Sequence, residues 1–208
     1  MGRRKKYEKD NNNAASVLRN VLCAKHHPDT RDSKTYKTVT IGKQTWMAQN
    51  LNYYTEGSKC YNNNPENCEK YGRHYNWTAA IKACPSGWHL PSNAEWDALY
   101  RIADGTSDEQ SPYKSETAGK YLKAKGGWND FKEASGNGDD SFSFTALPGG
   151  SNYSGSSFNH LGNNGYWWCL RKRFWRCLLS LYALRERCCW LEQQQQSTIA
   201  QCPLHKVR

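Results

Sequence analysis

The clearest structural signal in this 208-residue chain lies in CPSGWHLPSNAEWDALYRIADG, residues 84–105. Its first half contains two prolines and a glycine, which exclude a regular helix and predict a rigid connector. Ser92 and Glu95 then have the spacing of a capping box, in which each side chain satisfies a backbone amide at the helix start. Apolar residues follow at helical spacing, and Gly105 closes the pattern. We therefore predict a connector followed by a helix whose core-facing residues are Trp96, Leu99, Tyr100 and Ala103.

Short strand and helix patterns surround this stretch. Alternating, β-branched residues indicate strands, and apolar residues at i, i+3 and i+4 indicate helices. By these rules we predict strands at 36–42, at 44–51 (or an extended arm there), at 142–147 and from 166 onward, and short helices at 77–83 and 118–124. The first short helix should bury Trp77, Ala80, Ile81 and Cys84. The strand at 142–147 should direct Phe142 and Phe144 inward, and residues 151–165 should form a long surface loop.

The charged residues divide the chain into three parts. Residues 1–30 carry seven Lys or Arg and three Asp or Glu, residues 169–208 carry eight and two, and residues 31–168 carry fourteen of each. We therefore predict a basic, disordered N-terminal segment (1–30), a folded domain (31–168) and a basic, cysteine-rich tail (169–208). Proteins that bind nucleic acid usually carry their basic stripe on the folded domain, so we expect no specific nucleic-acid partner.

Two observations bear on the cellular compartment. No segment approaches the roughly 18 apolar residues of a membrane span, and the basic residues 1–6 precede no apolar run, so neither a transmembrane segment nor a signal peptide is expected here. Cys60 and Cys68 bracket a polar loop in which Pro65 and asparagines favour a turn, which suits a small disulfide. A disulfide implies an oxidising compartment. The alternative is that Cys60, Cys68 and Cys84 are reduced cysteines of a cytosolic chain.

Several ordered motifs resemble the Fibrobacter major paralogous domain family. They are QTWMAQNLNY at 44–53, YGR at 71–73, CPSGWHLP at 84–91 with EW at 95–96, FTALPGG at 144–150 and YWW at 166–168. The likeness covers roughly residues 30–168. The family is similar to the C-type lectin-like fold, so the resemblance implies an α+β domain with two helices packed on a small mixed β-sheet. It also implies a long loop region whose outer face binds ligands in relatives.

The resemblance further implies a secreted or cell-surface location and a non-catalytic binding role. We expect a monomer that binds an unassigned surface ligand, either a glycan or a protein, with no cofactor, no metal ion and no catalytic residues. A loop rich in Tyr, Ser, Gly and Asn offers flat rings and short hydrogen-bonding groups, which suit adaptable contacts. The candidate ligand-binding residues are therefore Asn152, Tyr153, Ser154, Phe158, Asn159, Asn163 and Asn164.

Some features of the sequence suggest other functions or a metal site. The charge distribution allows a basic-tailed interaction protein that binds anionic surfaces or nucleic acid. A catalyst like the formylglycine-generating enzymes has only fold analogy in its favour. The triplet Trp128-Asn129-Asp130 is similar to a lectin calcium motif, but calcium needs six to eight oxygen ligands and no second oxygen-rich loop is evident. We interpret a zinc-like pattern in the tail as accidental, since a fold must hold zinc ligands together; it comprises Cys188, Cys189, Cys202 and His205.

The tail differs in composition from the rest of the chain. It holds five of the nine cysteines and the run of glutamines at 193–196. Read one base later, CAA codons for glutamine become AAC for asparagine, and the single tryptophan codon forces glycine at Trp175 and Trp190. With suitably chosen degenerate codons, the shifted text is rich in Asn, Asp, Gly and Ser, like residues 130–165. We therefore hypothesise a frameshifted tail whose closing strands are missing or non-native. The family's final cysteine, which the resemblance pairs with Cys84, is then lost.

Sequencing the gene tests the frameshift hypothesis. The expected result is a shifted reading frame, beginning near codon 169, that encodes a continuation of the domain. The matched control is the frame upstream of codon 168, which should need no correction. A locus without any shifted continuation would contradict the hypothesis.

Overall fold

The computed structural model describes residues 22–105, 117–153, 157–170, 176–180 and 205–206. Within these ranges the chain forms short antiparallel sheets and a few helices, so the predicted α+β class is confirmed. The main sheet has five strands in the order β1-β2-β3-β11-β6. Its strands are β1 (Leu22–Asp29), β2 (Lys34–Ile41), β3 (Gln44–Met47), β6 (Trp88–His89) and β11 (His205–Lys206).

Three two-stranded sheets complete the β structure of the described ranges. They are β4 (Ser58–Lys59) with β5 (His74–Tyr75), β7 (Ser151–Tyr153) with β8 (Ser157–Asn159), and β9 (Asn164–Trp167) with β10 (Arg176–Ser180). Every described strand pair is antiparallel. The expected mixed sheet is therefore not found among the described strands, where parallel pairing occurs only as isolated bridges, Lys123 with Ala146 and Gly150 with Gly165.

The sequence patterns predicted three helices and the family resemblance implied two, whereas four α-helices occur in the described ranges. They are α1 (Pro65–Tyr71), α2 (Trp77–Ala83), α3 (Asn93–Asp104) and α4 (Ala118–Leu122). The additional helix α1 begins inside the loop closed by Cys60 and Cys68 and continues past Cys68 to Tyr71. It begins after Asn64, whose side chain accepts a hydrogen bond from the Glu66 amide, and Pro65 occupies its first turn. Asparagine at the cap and proline at the first position both favour a helix start.

The capping box of α3 is present as predicted. Ser92 Oγ accepts from the Glu95 amide at 3.3 Å, and Glu95 Oε2 accepts from the Ser92 amide at 2.7 Å. Gly105 ends the helix with φ = 66°, a left-handed conformation that favours glycine. Trp96 and Leu99 are fully buried.

The main sheet separates two hydrophobic cores. Side chains alternate along a strand, so β2 directs Val39 and Ile41 to one face and Tyr36 to the other. Helices α3 and α4 cover the first face, where Trp46 packs against Trp96. Helix α2 covers the second face through its small residues, which are Ala79, Ala80 and Ala83. The sheet is therefore buried on both sides, which explains why its strands contain apolar residues in adjacent positions.

The predicted buried face of α2 needs correction. Ala80 is buried, but Ile81 is 48% exposed, and Trp77 and Cys84 are only half-buried. The three alanines contact the sheet instead, because small side chains allow the helix to approach it closely. The hydrophobic spacing was correct for a helix but did not identify which side faces the core.

Residues 142–147 do not form the predicted strand: a turn includes Phe142, and within the segment only Ala146 forms a bridge, a parallel one to Lys123. Asp140 accepts from the Thr145 amide at 2.7 Å and from Thr145 Oγ1 at 2.8 Å. Asp140, Ser143 and Thr145 have positive φ angles of 46°, 53° and 55°, which a strand cannot contain. Phe142 and Phe144 are nevertheless buried, as predicted. The aspartate side chain therefore replaces strand hydrogen bonds and folds the segment back on itself.

The strands near the two ends of the chain can be compared with the predicted division of the chain after residues 30 and 168. Strand β1 pairs with β2 although it lies within residues 1–30, so the boundary at residue 30 cuts through a hairpin. Strands β10 and β11 lie in the tail, where β10 pairs with β9 and β11 lies between β3 and β6. Two strands are therefore present in the described part of the tail, and the hypothesis that the closing strands are missing or non-native stays a prediction. None of the helices in the described ranges is both long and apolar enough to cross a bilayer.

Replacing the cap of α3 tests its contribution to stability. Ser92→Ala removes the side-chain acceptor for the Glu95 amide and should lower the free energy of unfolding by about 1 kcal/mol. Urea unfolding followed by tryptophan fluorescence measures the change. Ser86→Ala, at an exposed serine in the preceding connector, is the matched control and should leave stability within about 0.5 kcal/mol. Equal effects of the two substitutions would contradict a stabilising cap.

Candidate functional site

The predicted ligand-binding residues occupy two different environments. Asn159 is exposed, and Phe158 and Asn163 are half-buried. Asn152 and Asn164 are buried, at 0% and 8% exposure. The side chain of Tyr153 and the whole of Ser154 lie outside the described residues. The segment is therefore not a surface loop throughout, because it contains β7, β8 and the start of β9.

The hairpin formed by β7 and β8 has an inner face that packs on the rest of the domain. Asn152 pairs with Phe158 across the hairpin, so the two side chains lie on the same face. The Phe158 ring lies 5.1 Å from the Tyr61 ring and 6.3 Å from the His74 ring, measured between centroids. The inner face therefore rests on the cysteine loop and on β5.

The disulfide between Cys60 and Cys68 holds the surface on which the hairpin rests. Its Cα atoms are 4.9 Å apart, and the predicted bond is present. Asn67 Nδ2 donates to the Tyr61 carbonyl at 3.0 Å and ties the turn to helix α1. The short loop is thus cross-linked and hydrogen-bonded around Tyr61. Cys202, which does not match the family's final cysteine, lies outside the described residues.

His74 is a buried histidine held by the FTALPGG segment. Its Nε2 lies 3.0 Å from the Gly149 carbonyl oxygen, which can only accept, so the Nε2–H tautomer is the neutral form that fits. Within the described residues, Nδ1 is buried without a hydrogen-bond partner. Burial lowers the pKa of His74 to about 4, although hydrogen bonds to the carbonyls of Gly149 and Gly150 act in the opposite direction. His74 therefore stays neutral in the folded protein at physiological pH.

Two buried asparagines contribute to the interior rather than to an exposed surface. Both polar atoms of the Asn152 amide are buried without a hydrogen-bond partner in the described part of the chain. Asn164 Nδ2 donates to the Tyr166 hydroxyl at 2.7 Å. Direct contact with a surface ligand would require either side chain to move. Their assignment as ligand-binding residues remains a prediction.

The outer side of the segment is a polar surface stabilised by Gly162. Asn129 Nδ2 donates to Asn163 Oδ1 at 2.9 Å, and the Asn129 amide donates to the Gly162 carbonyl at 2.8 Å. A Cβ at Gly162 would lie 2.5 Å from Asn129 Nδ2, and Gly162 has φ = 79°. Only glycine allows the two asparagines to meet there without strain. We call the solvent-facing part of this region the amide surface; it comprises the exposed residues Asn129, Ser157, Asn159 and His160 together with the half-buried Asn163.

The acidic residues near the calcium-like triplet form structural contacts. Asp130 Oδ1 accepts from the Gly136 amide at 3.3 Å, and Asp139 lies 3.5 Å from Lys120. Burial raises the pKa of Asp140, although its hydrogen bonds with Thr145 act in the opposite direction. In the described ranges, no three His, Cys, Asp or Glu side chains lie close enough together to hold a metal ion.

Three residues that shape this region received no role in ligand binding from the sequence. Tyr61 and His74 support the hairpin, and Asn129 forms half of the exposed asparagine pair. Asn129 was visible only as part of the calcium-like triplet. Its contact with Asn163 spans 34 residues, and no local periodicity reports such a contact. The cysteine loop was the one signal that could have pointed to Tyr61.

The buried His74 predicts a pH-dependent stability. Between about pH 6.5 and about pH 4 the unfolded state binds a proton at His74 that the folded state does not. Stability should therefore fall as pH is lowered through this window, by at most about 1.4 kcal/mol per pH unit from this group. In thermal melts, His74→Gln should flatten this part of the profile, whereas His160→Gln, at an exposed histidine, should not. Parallel profiles for the wild type and His74→Gln would contradict the assignment.

Comparison with known proteins identifies the domain. The family model of the Fibrobacter succinogenes major domain matches residues 39–179, which is more than half of the chain. The match includes the cysteine loop, the capped helix α3, the hairpin of β7 and β8, and the amide surface. Neither a curated protein nor a solved structure matches the chain. The chain therefore belongs to the Fibrobacter succinogenes major domain family.

Proposed function

We propose that this protein is a non-catalytic binding module that contacts a glycan through the amide surface. The observation that carries the proposal is the exposed pair formed by Asn129 and Asn163 on the Gly162 turn. This pair is fixed in place before any ligand arrives. A prearranged polar surface loses less conformational entropy on binding than a mobile one.

The backbone contacts of Gly162 explain why the pair is fixed. The Gly162 amide donates to the Pro148 carbonyl at 2.9 Å, and its carbonyl accepts from the Asn129 amide. The turn thus links the FTALPGG segment to the WND triplet. The Asn129 side chain lies directly over the glycine, where a larger residue would displace it.

The chemistry of the pair suits hydroxyl-bearing ligands. Each asparagine amide offers two donor hydrogens and an acceptor oxygen. The contact between them uses one donor of Asn129 and the oxygen of Asn163, so Asn129 Oδ1 and Asn163 Nδ2 can contact a ligand. A sugar hydroxyl both donates and accepts, and therefore matches a neighbouring acceptor and donor. The nearby Asn159 and His160 add further polar groups.

The composition of this surface favours a glycan over a protein ligand. The central parts of protein interfaces are depleted in charge and enriched in large aromatic or apolar side chains. In the described ranges the exposed large hydrophobic residues are Tyr54, Ile81 and Leu170, and none of them belongs to the amide surface. Amide and hydroxyl groups form most of the amide surface instead.

We also propose that the domain has a C-type lectin-like fold and acts outside the cell or at its surface. The antiparallel sheet covered by helices on both faces and the long irregular segment between α4 and β7 support this fold. The disulfide between Cys60 and Cys68 supports an oxidising compartment. Binding is favoured over catalysis because titratable groups are engaged in structural contacts: His89 with Glu95, and Asp140 with Thr145.

A glycan array probed with the full chain, followed by titration calorimetry with the sugars it identifies, tests the proposal. Asn163→Ala and Asn129→Ala should each weaken binding by about three- to tenfold, since each removes hydrogen bonds to the ligand. Gly162→Ala should weaken binding comparably because its Cβ displaces the Asn129 side chain. Thr78→Ala, at an exposed hydroxyl on α2, is the control and should leave affinity unchanged.

Two outcomes would contradict the proposal. The first is unchanged affinity in all three variants of the asparagine pair while their melting temperatures match the wild type. The second is binding that collapses between about 50 and 200 mM salt and disappears when the tail is removed. That salt dependence is characteristic of basic segments bound to polyanions, which is the alternative function suggested by the charge distribution.

A further inference from the structure

Two neighbouring tyrosines each contact an arginine, and the two arginines differ in their other contacts. The Arg31 guanidinium lies 3.9 Å from the centroid of the Tyr53 ring. The Arg73 guanidinium lies 5.1 Å from the centroid of the Tyr54 ring. Both distances are within the range of a cation–π interaction. Because both arginines contact a tyrosine ring in the same way, the other contacts of Arg73 can be compared with those of Arg31.

All three guanidinium nitrogens of Arg31 donate hydrogen bonds within the protein. Its Nε and one terminal nitrogen donate to the two oxygens of Asp29 at 2.8 and 2.6 Å. Its terminal nitrogens also donate to the carbonyls of Ala83 and Cys84 at 2.9 and 3.3 Å. The same contact with Arg31 lowers the pKa of Asp29. These bonds join the β1–β2 turn to the end of α2, so Arg31 has a structural role.

Arg73 has no comparable partners. Its backbone amide donates to the Leu51 carbonyl at 2.9 Å, which fixes the start of its side chain. The Nε atom is buried without a hydrogen-bond partner, and in the described part of the chain the guanidinium forms no ion pair. The preceding residue is also constrained, because a Cβ at Gly72 would lie 2.5 Å from Asn50 Cβ. The side chain is therefore positioned, and none of the described residues serves as its counter-ion.

Tyr54 gives this cation an accessible aromatic neighbour. Its side chain is 70% exposed, the highest value among the exposed large hydrophobic residues of the described ranges. A partly desolvated cation without an anion is unfavourable, and an incoming anion would relieve that cost. An exposed aromatic ring offers a flat apolar surface beside it.

We propose that Arg73 and Tyr54 form a second binding site, separate from the amide surface, for a sugar that carries a carboxylate. The guanidinium presents a planar fork of donors that matches the two oxygens of a carboxylate. The Tyr54 ring packs against the C–H face of the sugar. An acidic peptide would satisfy the guanidinium equally well, but its short, flexible side chains use the flat ring less. The paired arrangement therefore favours the uronic acid class.

The full chain is titrated with oligogalacturonate, with the methyl ester of the same oligosaccharide and with oligoglutamate. We expect saturable binding of oligogalacturonate and at least tenfold weaker binding of the ester, which lacks the charge. Arg73→Ala and Arg73→Lys should each weaken binding at least fivefold, since lysine keeps the charge but loses the fork. Tyr54→Ala should weaken binding, whereas Tyr54→Phe keeps the ring and should not.

Two matched controls separate this site from general electrostatics and from the amide surface. Lys70→Ala removes one positive charge from an exposed position next to Tyr71, and should change the affinity less than twofold. Asn163→Ala should leave oligogalacturonate binding unchanged, so failure of one site can be distinguished from failure of the other. Melting temperatures confirm that each variant folds; the exposed Tyr54 provides a test that does not depend on the half-buried Arg73.

The proposal is overturned by any of four results. These are affinity unchanged in Arg73→Ala and Tyr54→Ala, an equal loss in Lys70→Ala, equal binding of the methyl ester, or binding of oligoglutamate as tight as that of the sugar. The last result would assign the site to acidic peptides.

Discussion

The contact between Trp46 and Trp96 is the interaction on which the rest of the domain depends. The ring centroids lie 4.9 Å apart, and both side chains are fully buried. Trp46 belongs to β3 in the main sheet, and Trp96 to the first turn of α3. Phe144 closes the cluster at 5.8 Å from Trp46 and 6.3 Å from Trp96. Three distant segments of the chain therefore meet in one aromatic cluster, which fixes the helix on the sheet.

This cluster also determines where the candidate site lies. Phe144 begins the FTALPGG segment, so burying its ring fixes the residues that follow. Gly149 then meets His74, and Pro148 accepts the hydrogen bond of Gly162. The hairpin of β7 and β8 rests on the contact between Gly149 and His74. The amide surface rests on the hydrogen bond between Gly162 and Pro148. The proposed binding surface is thus connected to the core through a single short segment.

The two proposed binding surfaces differ in the physical basis of recognition. The amide surface offers neutral donors and acceptors already held by a rigid turn, so it gains from preorganisation. The proposed Arg73 and Tyr54 site offers a charge that has no counter-ion among the residues the structure describes, so binding there would gain from electrostatic compensation. Neutral hydrogen bonds depend little on salt, whereas an exposed ion pair weakens as salt is added. Together the two proposals would give one domain separate means of contacting neutral and acidic ligands.

The amino-acid sequence determined the local features of this protein: the strand at β2, the capped helix α3, the Cys60–Cys68 disulfide, the α+β class and the family. Each depends on residues close together in the chain, where spacing and composition are sufficient. Tertiary structure decided the non-strand conformation of residues 142–147, the exposure of Ile81, the burial of Asn152 and the meeting of Asn129 with Asn163. These features depend on which distant segments pack together. Local periodicity indicates that a side chain is apolar or polar, but only long-range packing determines what it contacts.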